Sequence, residues 1–383
     1  MSTSHDVAPL VDPSTVRHGP ARRLVGPDVT RAVALIGVVV MNYHGYLNGS
    51  SAAAQPGSSF LQRLFDPWNG VLATRFAATF MVVAGVGITL LTARSRASGD
   101  RAAVSDDRWR LVRRGVVLYA IGFVLDWVWP GTILFFYGAA FVLAALVFTL
   151  RTRWLVVIGA GAAVAAAGVH WWAAERRANG HSVNWLISPG TLTTESPRGL
   201  VFDTFVNGTH PLLPWFGFLC LGMIVGRSLG AVHPLRMAGI GLSVTFATYL
   251  VNHIATSGHA DDRVLVTVLS TRPFDRGLLY TLGAAGTAVA AFGVVTWLAE
   301  RDRDATVVQV LARAGQMTLT LYLAHVLVFN LVVDWLGWLG GTGLDASLGF
   351  AAAFWVVAIA VGSWWRRLIG IGPAEWVYRK FGG

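Results

Sequence analysis

The chain has 383 residues, 54% hydrophobic and only 13% charged, with a mean hydropathy of +0.56. A soluble protein of this length needs far more polar surface, so the composition excludes an ordinary soluble domain and indicates a polytopic membrane protein. The net charge of +10 does not point to nucleic acid, because the arginines fall between apolar segments rather than in one soluble patch, as membrane orientation requires.

In chain order, residues 1–28 are polar and contain no apolar core before Val29. No cleavable signal is expected there, and the first span acts as the insertion signal. A bilayer core of ~30 Å needs about 20 mostly apolar residues per helix, and about ten stretches meet that rule. They lie near 29–48, 70–92, 109–128, 131–149, 154–174, 212–229, 234–254, 277–299, 315–337 and 346–368, the third and fourth separated by Trp129-Pro130-Gly131. The longest connections, about 175–211 and 255–276, are too short for most independent domains. The expected fold is an all-α polytopic bundle over residues 29–369, with a polar tail at 1–28 and an interfacial tail at 370–383.

Arginines orient this set. Arg17, Arg22 and Arg23 precede the first span, a cluster from Arg94 to Arg114 follows the second, and Arg151, Arg153, Arg227, Arg236, Arg301, Arg303 and Arg313 fill later alternate loops. With ten spans these fall on one side, so both termini are expected in the cytoplasm of a cell whose plasma (inner) membrane the chain crosses.

Polar groups within the apolar segments are the candidates for chemistry. In "TRAVALIGVVVMNYHGYLNG", Arg31 stands near one end of the helix and Asn42 and His44 at the other. Arg31 and His44 are separated by ~20 Å along a helix. A cation at one end and an imidazole at the other suit a long substrate threaded through the bilayer, such as a CoA thioester. Its phosphates want arginine, and its thioester wants a general base beside the acceptor. Arg31 also fits the plain role of an interfacial, positive-inside arginine, and His44 that of a residue wetted by headgroups. A buried amide such as Asn42 must face the bundle or a cavity rather than lipid. Arg75 in the second span is a candidate by the same cost argument, as is His325, with a hydrogen-bonded neutral histidine as its plainer reading. "AGVGI", Ala84 to Ile88, supplies small residues for close helix packing. His210 and Asp66 are reserve candidates for the base. No HExxH or phosphate-loop pattern occurs, and no metal is expected.

Several segments, taken in order, resemble one family. "RAVALIGVVVMNY" followed by "PWNG" (Pro67 to Gly70) resembles the opening of the heparan-α-glucosaminide N-acetyltransferase-like transmembrane acyltransferases. "GTILFFYGAAFVLAAL", "PLLPWFGFLCLGMIVGR", "ARAGQMTLTLYLAHVLVF" and "GPAEWVYR" are similar to later segments of that family and its bacterial relatives of unknown function. The resemblance implies transfer of an acyl group, typically acetyl, from a cytoplasmic acyl-CoA to an acceptor on the opposite face, here expected to be an envelope glycan or lipid-linked saccharide. It implies acetyl-CoA as donor substrate rather than a permanently bound cofactor. Asn42 matches the family asparagine of the first span and His325 a position that often carries histidine; Asn69 of PWNG joins Arg31, Arg75 and His325 as candidate CoA contacts. The family's catalytic histidine, two residues before PWNG, is Phe65 here, and its aspartate five residues past the PWNG glycine is Arg75. His44, with Asn42, is therefore the expected catalytic pair. Trp171, Trp172 and Trp185 are candidates for stacking on a sugar or for the aromatic belt. The competing expectation is a transporter or flippase for an envelope precursor.

Overall fold

The computed structural model describes residues 24–186, 196–259, 261–341 and 343–383, and all regular structure in them is helical. In chain order the helices are α1 (Gly26–Asn48), α2 (Phe60–Leu64), α3 (Arg75–Leu91), α4 (Ala93–Ser98), α5 (Arg101–Asp126), α6 (Leu134–Val147), α7 (Thr152–Ala178), α8 (Pro197–Phe202), α9 (Leu212–Ser228), α10 (Pro234–Thr256), α11 (Arg263–Val268), α12 (Leu278–Arg301), α13 (Thr306–Gly315), α14 (Thr318–Phe329), α15 (Leu344–Leu368) and α16 (Pro373–Gly382). One π-type turn, Asp203–Asn207, follows α8, and another, Asn330–Trp335, extends α14. The expected arginines Arg17, Arg22 and Arg23 lie outside the described residues.

Each of the ten expected spans coincides with a helix. Five helices are long and apolar enough to cross a membrane: α7, α10, α12, α14 with its π-turn, and α15. The α8–α9 pair, bent by 54°, makes a sixth if it forms one span. α3 and α6 are apolar but only 17 and 14 residues long, short of a full crossing. α5 carries a run of charged residues through its first half. The described residues are thus those of an all-helical membrane protein, and five or six spans are recognisable among them by length and apolarity.

α1 runs through the middle, packed by α3, α12, α13, α14 and α15. In lipid the hydrophobic effect does not drive helices together, so close approach and hydrogen bonding must do so. Small residues provide the approach between α3 and α9. A Cβ added at Gly85 would lie 2.2 Å from the Leu219 carbonyl oxygen, and one at Gly222 2.0 Å from that of Val82. The small-residue stretch Ala84 to Ile88 therefore packs as expected.

Helix ends leave amides and carbonyls without partners, which is costly away from water. Carboxylates and guanidinium groups from distant segments fill them. Glu300 Oε1 accepts from the Val25 and Gly26 amides at 2.7 and 2.9 Å, closing the start of α1. Glu375 Oε1 accepts from Leu319 and Thr320 amides at 2.7 and 3.1 Å, closing the start of α14. Arg227 donates to the Phe148 and Leu150 carbonyls, both at 2.8 Å, closing the end of α6. These contacts fix α16, α12 and α9 against the helices that line the interior.

Candidate functional site

Two cavities enter the bundle from opposite ends of α1. The one at the Arg31 end has a volume of about 650 Å³. Its polar lining comprises Arg31, Arg114, Gln316, Glu375, Tyr378 and Arg379, and its apolar walls include Phe80, Ala84, Leu91, Leu118, Tyr137 and Phe141. The cavity at the Asn42 end has a volume of about 280 Å³ and is lined by Asn42, Tyr46, Trp68, Thr74, Thr209, His210 and Phe274, among others. Ile133 and Tyr322 line both cavities. The Tyr322 hydroxyl lies 3.1 Å from Thr132 Oγ1 and accepts from the Ile133 amide at 3.2 Å. The two cavities therefore meet at a tyrosine whose hydroxyl is tied to the α5–α6 connection.

The Arg31-end cavity is electropositive. Arg31 Nη1 is 3.3 Å from Asp28 Oδ1 and donates to the Gly315 carbonyl at 3.3 Å, while Asp28 Oδ2 accepts from Gln316 at 3.0 Å. Arg114 lies over the Tyr378 ring at 5.4 Å, and its Nε is buried without a hydrogen-bond partner. Glu375, the one carboxylate side chain among the lining residues, spends both oxygens on the start of α14, the second accepting from the Thr320 hydroxyl, and Arg114 Nη2 donates to a Gly383 oxygen at 2.9 Å. Burial pushes the Tyr378 phenol up to about 12, so it stays a neutral donor at physiological pH. Three arginines beside the apolar walls fit a phosphorylated head with a long neutral arm.

At the other end, Asn42 and His325 are paired. His325 is fully buried. Its Nδ1 lies on the Tyr322 carbonyl, which can only accept, so Nδ1 carries the proton and Nε2 is the acceptor. The Asn42 side-chain nitrogen, 3.2 Å from Nε2, is then the donor. This uses one of its two N–H groups. Tyr43, one residue on, donates to the His325 carbonyl at 2.9 Å and stacks on Phe350, holding α1 against α14 and α15.

Of the expected site residues, Arg31 and Asn42 line the cavities, and His325 supports Asn42 from behind. Four others are placed elsewhere. His44 lies with Nδ1 3.4 Å from Ser347 Oγ and 3.2 Å from Asn48 Nδ2, facing α15, and lines neither cavity. Arg75 is buried among α3, α10 and α12, where it donates to the Val71 and Tyr280 carbonyls and the Tyr249 hydroxyl and sits 5.2 Å over the Tyr280 ring. Asn69 is exposed. Asp66 is buried with its carboxylate taken up by backbone: Oδ1 accepts from Trp68 and Asn69, and Oδ2 from Ala54. It shapes the PWNG turn and has little capacity left to act as a base. Trp171, Trp172 and Trp185 line neither cavity, and Trp172 packs edge-on against Trp185 at 5.9 Å.

The reserve candidate His210 does line the Asn42-end cavity. Its ring packs edge-on against Trp215 at 4.5 Å, and its Nδ1 is buried with no hydrogen-bond partner. The turn before it is clamped by Arg276, which donates to the Val206, Asn207 and Gly208 carbonyls.

Sequence reasoning missed Tyr322, Arg114, Tyr378, Arg379 and Thr74 as cavity residues. The last carries the clearest local signal in the structure: Thr74 has a φ of 60°, a left-handed conformation unfavourable for a β-branched residue. Its hydroxyl is 2.8 Å from that of Tyr280.

Two family models match the chain. One, described as heparan-α-glucosaminide N-acetyltransferase, catalytic, matches residues 23–236; the other, described as a protein of unknown function (DUF418), matches residues 231–382. No curated protein matches the chain. The first match carries Arg31, Asn42, Arg114 and His210, the second Tyr322, His325, Glu375 and Tyr378, so the two cavities are built across both regions. As the first model alone covers more than half of the chain, the chain belongs to the heparan-α-glucosaminide N-acetyltransferase family.

Proposed function

We propose that this protein is a membrane acyltransferase that takes an acyl group, in the simplest case acetyl, from a CoA thioester entering at the Arg31 end and delivers it to an acceptor held at the Asn42 end. The observation that carries the reading is the meeting of two chemically different cavities at Tyr322. Eleven helical residues separate Arg31 from Asn42, about 16 Å, a span suited to the pantetheine arm. In this reading Arg31, Arg114 and Arg379 hold the phosphates, the apolar channel takes the arm, and the thioester lies near Tyr322. The second N–H of Asn42 donates to the carbonyl oxygen as it gains negative charge, a contribution typically worth about 10²–10³ in rate. His325 keeps that amide oriented.

The same reading has ten spans, with short α3 and α6 and polar α5 completed by their neighbours in the bundle, both termini in the cytoplasm, and an envelope saccharide or lipid-linked acceptor outside the plasma membrane. The arginine distribution supports this sidedness. A transporter would need a continuous path, and here Tyr322 stands in it, held by two hydrogen bonds. The test is acetyl-CoA binding and consumption by the purified protein. Arg31→Ala should weaken binding with the fold intact, whereas a wild type that neither binds nor consumes acetyl-CoA would remove the proposal.

A further inference from the structure

The Asn42-end cavity is neutral. Among the described residues that line it there is no carboxylate, no arginine and no lysine. An ammonium ion entering it would lose water with no counter-charge to replace it, a costly step. A hydroxyl faces no such penalty, because Asn42, Thr74, Thr209 and His210 offer it neutral hydrogen-bonding groups. Of these, only His210 has a ring nitrogen that can take up a proton; burial, and after it the Arg276 guanidinium, lower its pKa to about 3, so the ring is uncharged and its lone pair available at neutral pH. The ring is fixed against Trp215 and Phe136, at 4.5 and 6.0 Å, by a turn that Arg276 clamps, and its Nδ1 is buried without a partner. A buried imidazole nitrogen left unpaired at a cavity wall calls for a group that belongs in the cavity.

We propose that the acceptor is a neutral alcohol and that His210 is the general base that deprotonates it; this rests on the acyl-transfer reading and departs from the N-acetylation in the family's description. The acceptor oxygen bonds to the thioester carbonyl carbon while its proton passes to His210. Collapse of the tetrahedral adduct breaks the carbon–sulfur bond, and the proton on His210 goes to the departing thiolate. An ester and free CoA thiol result, with no other reactant.

The test uses the purified full-length protein with acetyl-CoA and two probes of the same ring, cyclohexanol and cyclohexylamine, with products read by mass spectrometry. Cyclohexyl acetate should form with wild type, and the acetamide should stay at the no-enzyme background. His210→Ala and the volume-conserving His210→Gln should each lower ester formation by about 10²–10⁴-fold while CoA affinity stays at the wild-type value, which shows that the fold is intact. Preferential acetamide formation, ester formation undiminished in both His210 variants, or neither product with CoA bound would each overturn the proposal while leaving CoA recognition standing. Absence of CoA binding by wild type would overturn the acyl-transfer reading and this proposal together.

Discussion

Asn42 on α1 and His325 on α14, 283 positions apart in sequence, face each other at 3.2 Å, and the second ring nitrogen of His325 is spent on the Tyr322 carbonyl. The pair thus links the cavity-lining amide to the residue at which the two cavities join. Each partner leaves the other short of a hydrogen bond if removed. Asn42→Ala and His325→Ala should each lower stability by about 1–3 kcal/mol, and the double variant should lose less than their sum by about 0.5–2 kcal/mol. Equilibrium unfolding in micelles measures this, and strict additivity would show that the two do not interact.

The α3–α9 contact gives a prediction with a built-in control. Gly85→Ala pushes a methyl against the Leu219 backbone, and overpacking of this kind costs about 1–3 kcal/mol. Gly161→Ala in α7 meets no atom within 4 Å and should gain up to about 1 kcal/mol from helix propensity. Melting temperatures of the two variants should move in opposite directions; a shared direction would contradict the packing described.

Glu375 should matter for stability as well as for the cavity. Glu375→Ala frees the Leu319 and Thr320 amides at the start of α14, and loss of such a cap costs about 0.5–2 kcal/mol. α16 should then detach, seen as faster proteolysis after Arg379 and Lys380. Unchanged protection of those bonds would show that the carboxylate does not hold the tail.

The sequence made the helices legible because each apolar run is long or bounded by arginines, and it singled out Asn42 by the cost of a buried amide. What it could not supply was partnership. Asp66 looked free to act as a base until folding set three backbone amides around it. His44 shared the end of α1 with Asn42, but two positions along a helix turn side chains by about 200°, so it meets Ser347 on α15 instead of the cavity. Arg114 read as one more orienting arginine, and only the packing of α16 beside α5 brings it to the cavity with Tyr378. Tyr322 in "TLTLYLAHVLVF" has the pattern of an apolar face; its hydroxyl gains meaning from Thr132, 190 positions earlier.

Sidedness has its own test. The Gly343 amide donates to Asn48 Oδ1 at 2.8 Å, so the segment after α1 and the segment before α15 share one end of the bundle. α3 runs from the Asn42-end cavity at its start to the Arg31-end cavity at Leu91. Reporter fusions after Gly49 and Gly341 should read outside, and those after Gly99 and the C-terminus inside. A C-terminal fusion that reads outside would contradict the proposed topology.

The most direct test of the two-ended site is the affinity of the purified protein for CoA by isothermal titration calorimetry, compared among wild type, Arg31→Ala, Arg114→Ala and the exposed control Arg94→Ala. A hydrogen bond to a charged group contributes about 1.5–3 kcal/mol, or about 10–100-fold in affinity. Wild type and Arg94→Ala should bind CoA equally, and Arg31→Ala and Arg114→Ala should each bind more weakly by that factor. CoA binding that is absent in wild type, or unaltered in both cavity variants, would contradict a two-ended site.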